Sequence, residues 1–407
     1  MTTTAVPLRA LVRDDPVLRR LLTVTLVDTV GRGAFFTLTM LYLTTVVGIP
    51  AVTAGIGLTV AGGVGVFASL GFGHLADRWS SRRMLIVLHL VQAAALIGYI
   101  AVDGLLSLIV VASLVTLAQQ GGSSVRSAAV GRAFPGAERV RIRATMRTVT
   151  NIGIAAGTAI AAIPLAIGSG DAYRITMAAA GVLYLVSSVL LTGLPADRVD
   201  ARPGSSTAAP EVTGSPYRDG RFLAVTALSG VFGMQFGLFE VAVPLWVVEH
   251  TTAPDVLVSP LLLVNTALVV ALQVRLSRGT GTVRGAGRVM AHAGWLMAVA
   301  CGLWAAAGAV PMAVAVVVLF AAATMHTLAE ITSSAAGWSL SFELAPPDRI
   351  GAYQGMYGTG FALGAMAAPL VVTAAVNDLG TTGWALLAVL FLGSATGITA
   401  ITRRRRS

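Results

Sequence analysis

Five ionisable side chains stand well inside long apolar runs of this 407-residue chain: Asp28, Arg32, Arg126, Glu240 and Glu330. A charge near the centre of a bilayer-spanning helix costs about 2.5–3.5 kcal/mol on insertion scales, so each needs a partner or a wet chamber. Asp28 and Arg32 are four residues apart and share a helical face. Two readings fit them: a static ion pair, or a carboxylate that exchanges its partner and its proton. Desolvation and a neighbouring guanidinium pull a carboxylate's proton affinity in opposite directions, which leaves such a group switchable. His326 precedes Glu330 by one turn with no arginine nearby, and histidine titrates in the physiological range. That pair is the better proton-handling candidate, or else a hydrogen-bonded lock on its helix. Glu240 follows Gln235 on a run interrupted by Gly230, Gly233 and Gly237 and kinked at Pro244. Polar groups on a broken membrane helix point to a binding site, and Glu240 serves equally as a cap on an extracellular gate. Arg126 is either the second cation of a chamber or a side chain that snorkels to the interface. His89 and His292, near the ends of their runs, are expected at the interface.

These groups must be carried by elements that survive in lipid. Hydrophobic residues make up 56% of the chain and charged ones 11%, against roughly 25% charged in a soluble protein. The net charge of +10 comes from arginine alone, since lysine is absent. The arginines fall in short loops between apolar runs, so the basic balance reflects membrane topology rather than nucleic-acid binding. Cys301, the single cysteine, excludes an intrachain disulfide. No histidine, cysteine and carboxylate group has metal-ligand spacing. No lysine is present for a phosphate-cradling loop, and no nucleophile–base pair appears. The expectation is therefore no metal, no cofactor, no use of ATP and no enzymatic activity.

A run of about 20 apolar residues crosses the hydrocarbon core as a helix. Twelve such runs lie at about 20–46, 51–75, 84–102, 105–129, 144–168, 174–194, 221–248, 256–276, 288–309, 311–342, 351–376 and 382–401. With the N-terminus in the cytoplasm, twenty-five of the 28 arginines fall on cytoplasmic segments, only Arg174 falls outside, and Arg32 and Arg126 lie within helices. The positive-inside rule then places both termini in the cytoplasm. The segment 195–220 has four prolines and the flexible composition Ser-Ser-Thr-Ala-Ala. It divides an N-terminal six-helix bundle, 1–194, from a C-terminal one, 221–407. The expected fold is an all-α membrane protein of two six-helix bundles, acting as a monomer. The charged residues fall on the first, fourth, seventh and tenth helices, which are expected to line one hydrated chamber.

Between the second and third runs lies Gly71-Phe-Gly73-His-Leu75-Ala76-Asp77-Arg78-Trp-Ser80-Ser81-Arg82-Arg83, a polar link too short for a domain. Its Gly73, Leu75, Ala76, Asp77, Arg78 and Arg82 resemble the cytoplasmic signature of the major facilitator superfamily. Ser80 replaces that signature's second glycine, and Ser81 the first of its basic pair. The resemblance covers essentially the whole chain. It implies the major facilitator fold and a conformational latch in which Asp77 faces the N-terminus of the eleventh helix near Arg349, where the helix dipole favours a carboxylate. The runs Arg141 to Gly157 and Thr327-Leu-Ala-Glu330 to Gly355 are similar to the drug/proton antiporter branch. Its glycine motif reads Gly153 to Gly157, followed by Thr158 where proline is usual. The fourth-helix pattern ending Gln120-Gly121 has Leu117 where a proton-coupling arginine is usual, a role for which Arg126 or Arg32 is the expected substitute.

What the resemblance implies is a multi-pass transporter of the inner cell membrane. It exports a small amphipathic or apolar compound, such as an antibiotic or toxic metabolite, in exchange for protons by rocking of its two halves. The alternatives are a proton-coupled importer of a small nutrient and a non-transporting sensor of the same fold.

Overall fold

Backbone amides in hydrocarbon have no water to bond, so a crossing segment must satisfy its own amides as a helix. The computed structural model of the chain describes residues 15–201 and 214–403, and among them twelve helices are long and apolar enough to cross a membrane. They are α1 (Pro16–Leu41), α2 (Ala51–Arg78), α3 (Ser81–Gly98), α4 (Leu105–Ala133), α5 (Glu138–Ile167) and α6 (Gly170–Thr192). The second six are α7 (Gly220–His250, in pieces), α8 (Val258–Leu276), α9 (Val283–Ala307), α10 (Met312–Glu343), α11 (Ile350–Thr373) and α12 (Leu379–Arg403). No strand occurs among the described residues. Arg9, Arg13, Arg202 and Arg404 to Arg406, which enter the orientation argument, lie outside the described residues.

Helix starts follow the capping chemistry of the sequence. Asp15 caps α1, its Oδ1 accepting from the Val17 and Leu18 amides at 2.8 and 3.1 Å, with Pro16 in the first turn. Ser80 caps α3 and Thr282 caps α9. The stretch expected to be a link, Gly71–Arg83, is mostly helix: α2 runs through the motif to Arg78, leaving Trp79 and Ser80 between α2 and α3. Leu75 and Ala76 favour helix, and Arg78 sits in the last turn, where the helix dipole welcomes a cation. α5 likewise starts at Glu138, six residues before the expected run. Its Arg139 and Arg143 stack on aromatic rings of α10, with Arg143 Cζ 5.4 Å from the Trp338 centroid and Arg139 Cζ 5.7 Å from that of Phe342. α7 is broken as its glycines suggest: Gly220–Gly233 ends at Met234, a π-helical turn covers Leu238–Ala242, and Val243–His250 restarts with Pro244 in its first turn.

The chain forms two compact units. One comprises α1 to α4, α5 from Met146 onward, α6 and the short segment Pro347–Gly358; the other comprises Gly136–Thr145, α7 to α10, the rest of α11 and α12. The start of the expected linker is held in the first unit. A one-turn helix, Ala196–Val199, leads to Asp200, whose carboxylate accepts from Ser80 Oγ at 2.6 Å and the Ser81 amide at 2.5 Å. Arg198 pairs with Asp15 at 2.9 Å. Residues 202–213 of that segment lie outside the described residues.

Within each unit the first helix of its half meets a later helix at close range through glycine. In the first, α5 lies on α1: a methyl at Gly153 would collide with Thr29, and one at Gly157 with the Val30 carbonyl. In the second, α11 lies on α7: a methyl at Gly230 would collide with the Gly360 carbonyl, and one at Gly364 with the Gly230 carbonyl. Such contacts replace the missing hydrophobic drive between helices in lipid with close van der Waals packing. Large apolar side chains point outward, as lipid permits, with Phe67 75% and Leu106 77% exposed.

Gly157→Ala is expected to destabilise the protein by about 1–3 kcal/mol through overpacking. Gly62→Ala, whose added methyl meets nothing within 4 Å, is expected to be neutral or to stabilise by up to about 1 kcal/mol. Thermal unfolding of the purified chain in detergent distinguishes the two, and equal melting temperatures would refute the α1–α5 contact.

Candidate functional site

The polar centre of the first unit is built on α1. Asp28 is 3% exposed, and its Oδ2 accepts from Arg126 Nη2 of α4 at 2.8 Å while facing His89 Nε2 of α3 at 3.4 Å. Arg126 Nη1 also reaches Thr25 Oγ1 at 3.4 Å. The guanidinium thus turns inward to a carboxylate rather than snorkelling. The expected partnership of Asp28 with Arg32 gives way to one with Arg126, because a neighbouring helix brings the cation against the carboxylate end-on. His89 corrects the sequence reading: it is 4% exposed, not interfacial. Its Nδ1 lies 2.7 Å from the Leu85 carbonyl, which only a proton on Nδ1 can satisfy. A neutral ring then turns the lone pair of Nε2 toward Asp28 Oδ2. The contact is attractive only with a proton between them, whether as imidazolium and carboxylate or as carboxylic acid and imidazole. Asp28 Oδ1 has no hydrogen-bond partner among the described residues.

One turn along α1, the guanidinium of Arg32 lies 5.2 Å from the Phe36 ring centroid. Gln119 of α4 turns its amide oxygen toward Arg32, facing Nε, Nη1 and Nη2 at 2.8, 3.2 and 3.0 Å, the orientation that donor and acceptor chemistry demands. Arg32, Gln119, Gln92 and Tyr184 line a recess whose open space, mouth included, is about 190 Å³. The rings of Tyr184 and His89 are 5.8 Å apart, joining this recess to the Asp28 centre.

The polar centre of the second unit is on α10. Glu330 is 5% exposed, and its Oε2 accepts from Asn265 Nδ2 of α8 at 2.9 Å, a nitrogen that also faces Thr327 Oγ1 at 3.0 Å. The expected hydrogen-bonded pair of His326 with Glu330 is not formed. His326 is fully buried, meets Phe239 edge-to-face at 4.9 Å, and neither ring nitrogen has a hydrogen-bond partner among the described residues. Successive residues on one face stack along the helix without meeting head-on, and the ring is captured by the broken part of α7. Gln235, 1% exposed, donates to Ser333 Oγ at 3.0 Å. Glu240 lies in the π-helical turn of α7 at an exposed position, and His292 is exposed on α9. No group of three or more histidine, cysteine, aspartate or glutamate side chains comes together as a metal site among the described residues.

At the end of α2, Asp77 accepts from the Gly351 and Ala352 amides, each at 2.7 Å, one per carboxylate oxygen. These are free amides of the first turn of α11, two and three residues beyond Arg349, where helix geometry supplies donors. Gly73 permits the approach, since a methyl there would meet the Gly351 oxygen at 2.6 Å and Gly355 Cα at 2.7 Å. Arg132 of α4 completes the cluster, donating to Asp77 Oδ1, the Ala76 carbonyl and Ser81 Oγ, each at 2.8 Å. Arg82 donates to the Thr192 carbonyl of α6. Arg78, at the end of α2, is engaged elsewhere.

Five participants escaped the sequence reading. His89 and Gln92, three residues apart on an apolar helix, carry the pattern of a buried polar face. Asn265 stands alone as a mid-helix amide in the first half of α8. Arg132 was counted only as a loop cation, and Gln119 carried no signal beyond its place in a polar pair.

The Major Facilitator Superfamily model matches residues 21–369. No curated protein sequence matches the chain. Among solved structures, the chain is similar to a bacterial homologue of the iron transporter ferroportin, at TM-score 0.71 and 15% identity over 95% of this chain and 98% of that one. It is similar to the human organic anion transporter MFSD10 (TETRAN), at TM-score 0.70 and 14% identity over 94% of this chain and 100% of that one. The proton:xylose symporter XylE follows at TM-score 0.69 and 12% identity, covering 93% and 94% of the two chains. At such identities the likeness speaks for the fold, and together with a family match that runs through eleven of the twelve helices it places the chain: it belongs to the major facilitator superfamily.

Proposed function

We propose that the chain is a secondary transporter that exports small amphipathic or apolar compounds in exchange for protons by alternating access, in the manner of the drug/proton antiporter branch. The observation that carries this reading is the Asp28–His89 contact, a buried carboxylate and imidazole whose geometry calls for one proton between them. Arg126, paired with Asp28 in the same arrangement, is the counter-cation that holds the carboxylate when the proton leaves. Glu330, held by Asn265, is the second candidate carrier. A proton entering through about 100 mV supplies roughly 2.3 kcal/mol per charge, enough to drive a useful gradient of another solute. The Asp77 cluster is assigned the role of latch, released and remade in each cycle. Both termini are assigned to the cytoplasm by the arginine asymmetry. The named cargoes of the structural neighbours are iron, organic anions and xylose with protons. They are too diverse to choose a substrate for this chain.

Inverted membrane vesicles presented from outside with a panel of dyes and antibiotics test the reading. An acid-inside gradient is expected to drive uptake of at least one compound at least tenfold over the dissipated control, and transport in the same direction as the protons would replace export by co-transport. Asp28→Asn and His89→Phe are each expected to abolish gradient-driven flux while leaving gradient-free exchange measurable. Full gradient-driven flux in both variants would remove the pair from proton handling.

Asp77→Asn is expected to cost about 1.5–3 kcal/mol at the latch, the worth of hydrogen bonds to a charged acceptor. It should appear as a lower melting temperature and slower exchange. Wild-type values for both would leave the latch role without support.

A further inference from the structure

We infer that the exposed face of α9, with the end of α12 beside it, is a site for the headgroup of an anionic phospholipid; this rests on the chain's crossing a membrane and not on its cargo. Arg284, Arg288, His292, Trp295 and Val299 recur at helical spacing on α9. All five are exposed, Trp295 by 63% and Val299 by 49%. The stripe passes from guanidinium through imidazole and indole to an aliphatic side chain, the polarity order of a lipid from its phosphate to its acyl chain. Trp295 lies about 10 Å further along the helix axis than Arg288, of the order of the depth of a headgroup region. An indole favours the boundary between headgroups and acyl chains. That leaves Arg284 and Arg288 at the level of the phosphates and Val299 among the chains.

Neighbouring helices add to the charge. Thr399 Oγ1 of α12 donates to the Gly287 carbonyl at 3.0 Å, and a methyl at Gly287 would collide with Thr402. The residues that follow these, Arg288 and Arg403, therefore stand at one end of the same helix pair, and in sequence Arg404, Arg405 and Arg406 come next. Arg275 in the last turn of α8 and Arg278 in the link to α9 stand at that end too, where Ser339 of α10 donates to the Thr280 carbonyl of the link. Arg275, Arg278, Arg284, Arg288 and Arg403 are all exposed, and none has a protein partner among the described residues. α8, α9 and α12 carry no aspartate or glutamate, and Glu343 at the end of α10 interacts with Arg139. In the first unit, by contrast, Arg82, Arg132 and Arg198 are bonded to Thr192, Asp77 and Asp15. Membrane topology asks only for positive charge at a helix end, on any face. Unanswered guanidiniums in line with an exposed tryptophan meet a narrower need. Their planar forks bind phosphate oxygens in pairs, and basic clusters at the ends of membrane helices recognise anionic lipid.

The test uses the full chain purified in detergent, to which phosphatidylglycerol, phosphatidylcholine or inorganic phosphate is added. Native mass spectrometry reads the lipid retained, and thermal melting reads the stabilisation. Phosphatidylglycerol is expected to be retained about tenfold or more over phosphatidylcholine and to raise the melting temperature. The preference should fade as salt rises from about 50 mM to about 500 mM. Arg284→Gln, Arg288→Gln and Arg403→Gln combined should erase it and leave the melting temperature of the lipid-free protein unchanged, since all three side chains are exposed. Trp295→Ala should weaken retention of both lipids. Equal retention of the two lipids, or a preference that survives the triple variant, would overturn the assignment. So would equal stabilisation by inorganic phosphate and phosphatidylglycerol, which would make this a site for free anions. No proton gradient and no cargo enter the measurement, so its failure is separate from a failure of proton-driven flux in vesicles.

Discussion

Hydrocarbon offers no partner to a charge or to an unbonded amide, and each such group left in it costs several kcal/mol. That one constraint arranges most of this molecule. It makes every crossing segment a helix, and it sends Phe67 and Leu106 outward while Asp28 and Glu330 turn in. It also requires that each buried charge be answered by a side chain from another helix. Asp28 is answered by α3 and α4, Glu330 by α8, and Asp77 by the first amides of α11 with Arg132. In a soluble protein these groups would drift to water; here they pin helices to one another, so the polar centres are also what registers the bundle.

The fold was legible because its determinants are local. An apolar run of about 20 residues is visible without knowing its neighbours, and so is a broken helix such as α7 with its three glycines. The partner of Asp77 was implied by the resemblance of its motif, and the free amides at the start of α11 are the groups that meet it. Side-chain partnerships were less legible, because they depend on which helices lie side by side. Asp28 and Arg32 satisfy the spacing rule for a pair on one helix, but Arg126 approaches the carboxylate from α4. His326 and Glu330 satisfy the same rule and separate, one toward Phe239 and the other toward Asn265. Spacing within a helix names candidates, whereas the neighbour chooses among them. His89 shows the converse: nothing near it in sequence explains a buried imidazole, and its reason lies on α1.

Glycine supplies a second theme. In each unit a helix from late in its half lies against the first helix of that half with glycine at the crossing, α5 on α1 and α11 on α7. The glycines Gly153 and Gly157 of α5 and Gly360 and Gly364 of α11 share one physical use, the close approach of two helices. α1 and α7 are also the helices that carry Asp28, Arg32, Gln235 and Glu240. Tight, side-chain-free packing along one face leaves their other faces free for polar groups, and it permits small sliding motions without repacking bulky side chains.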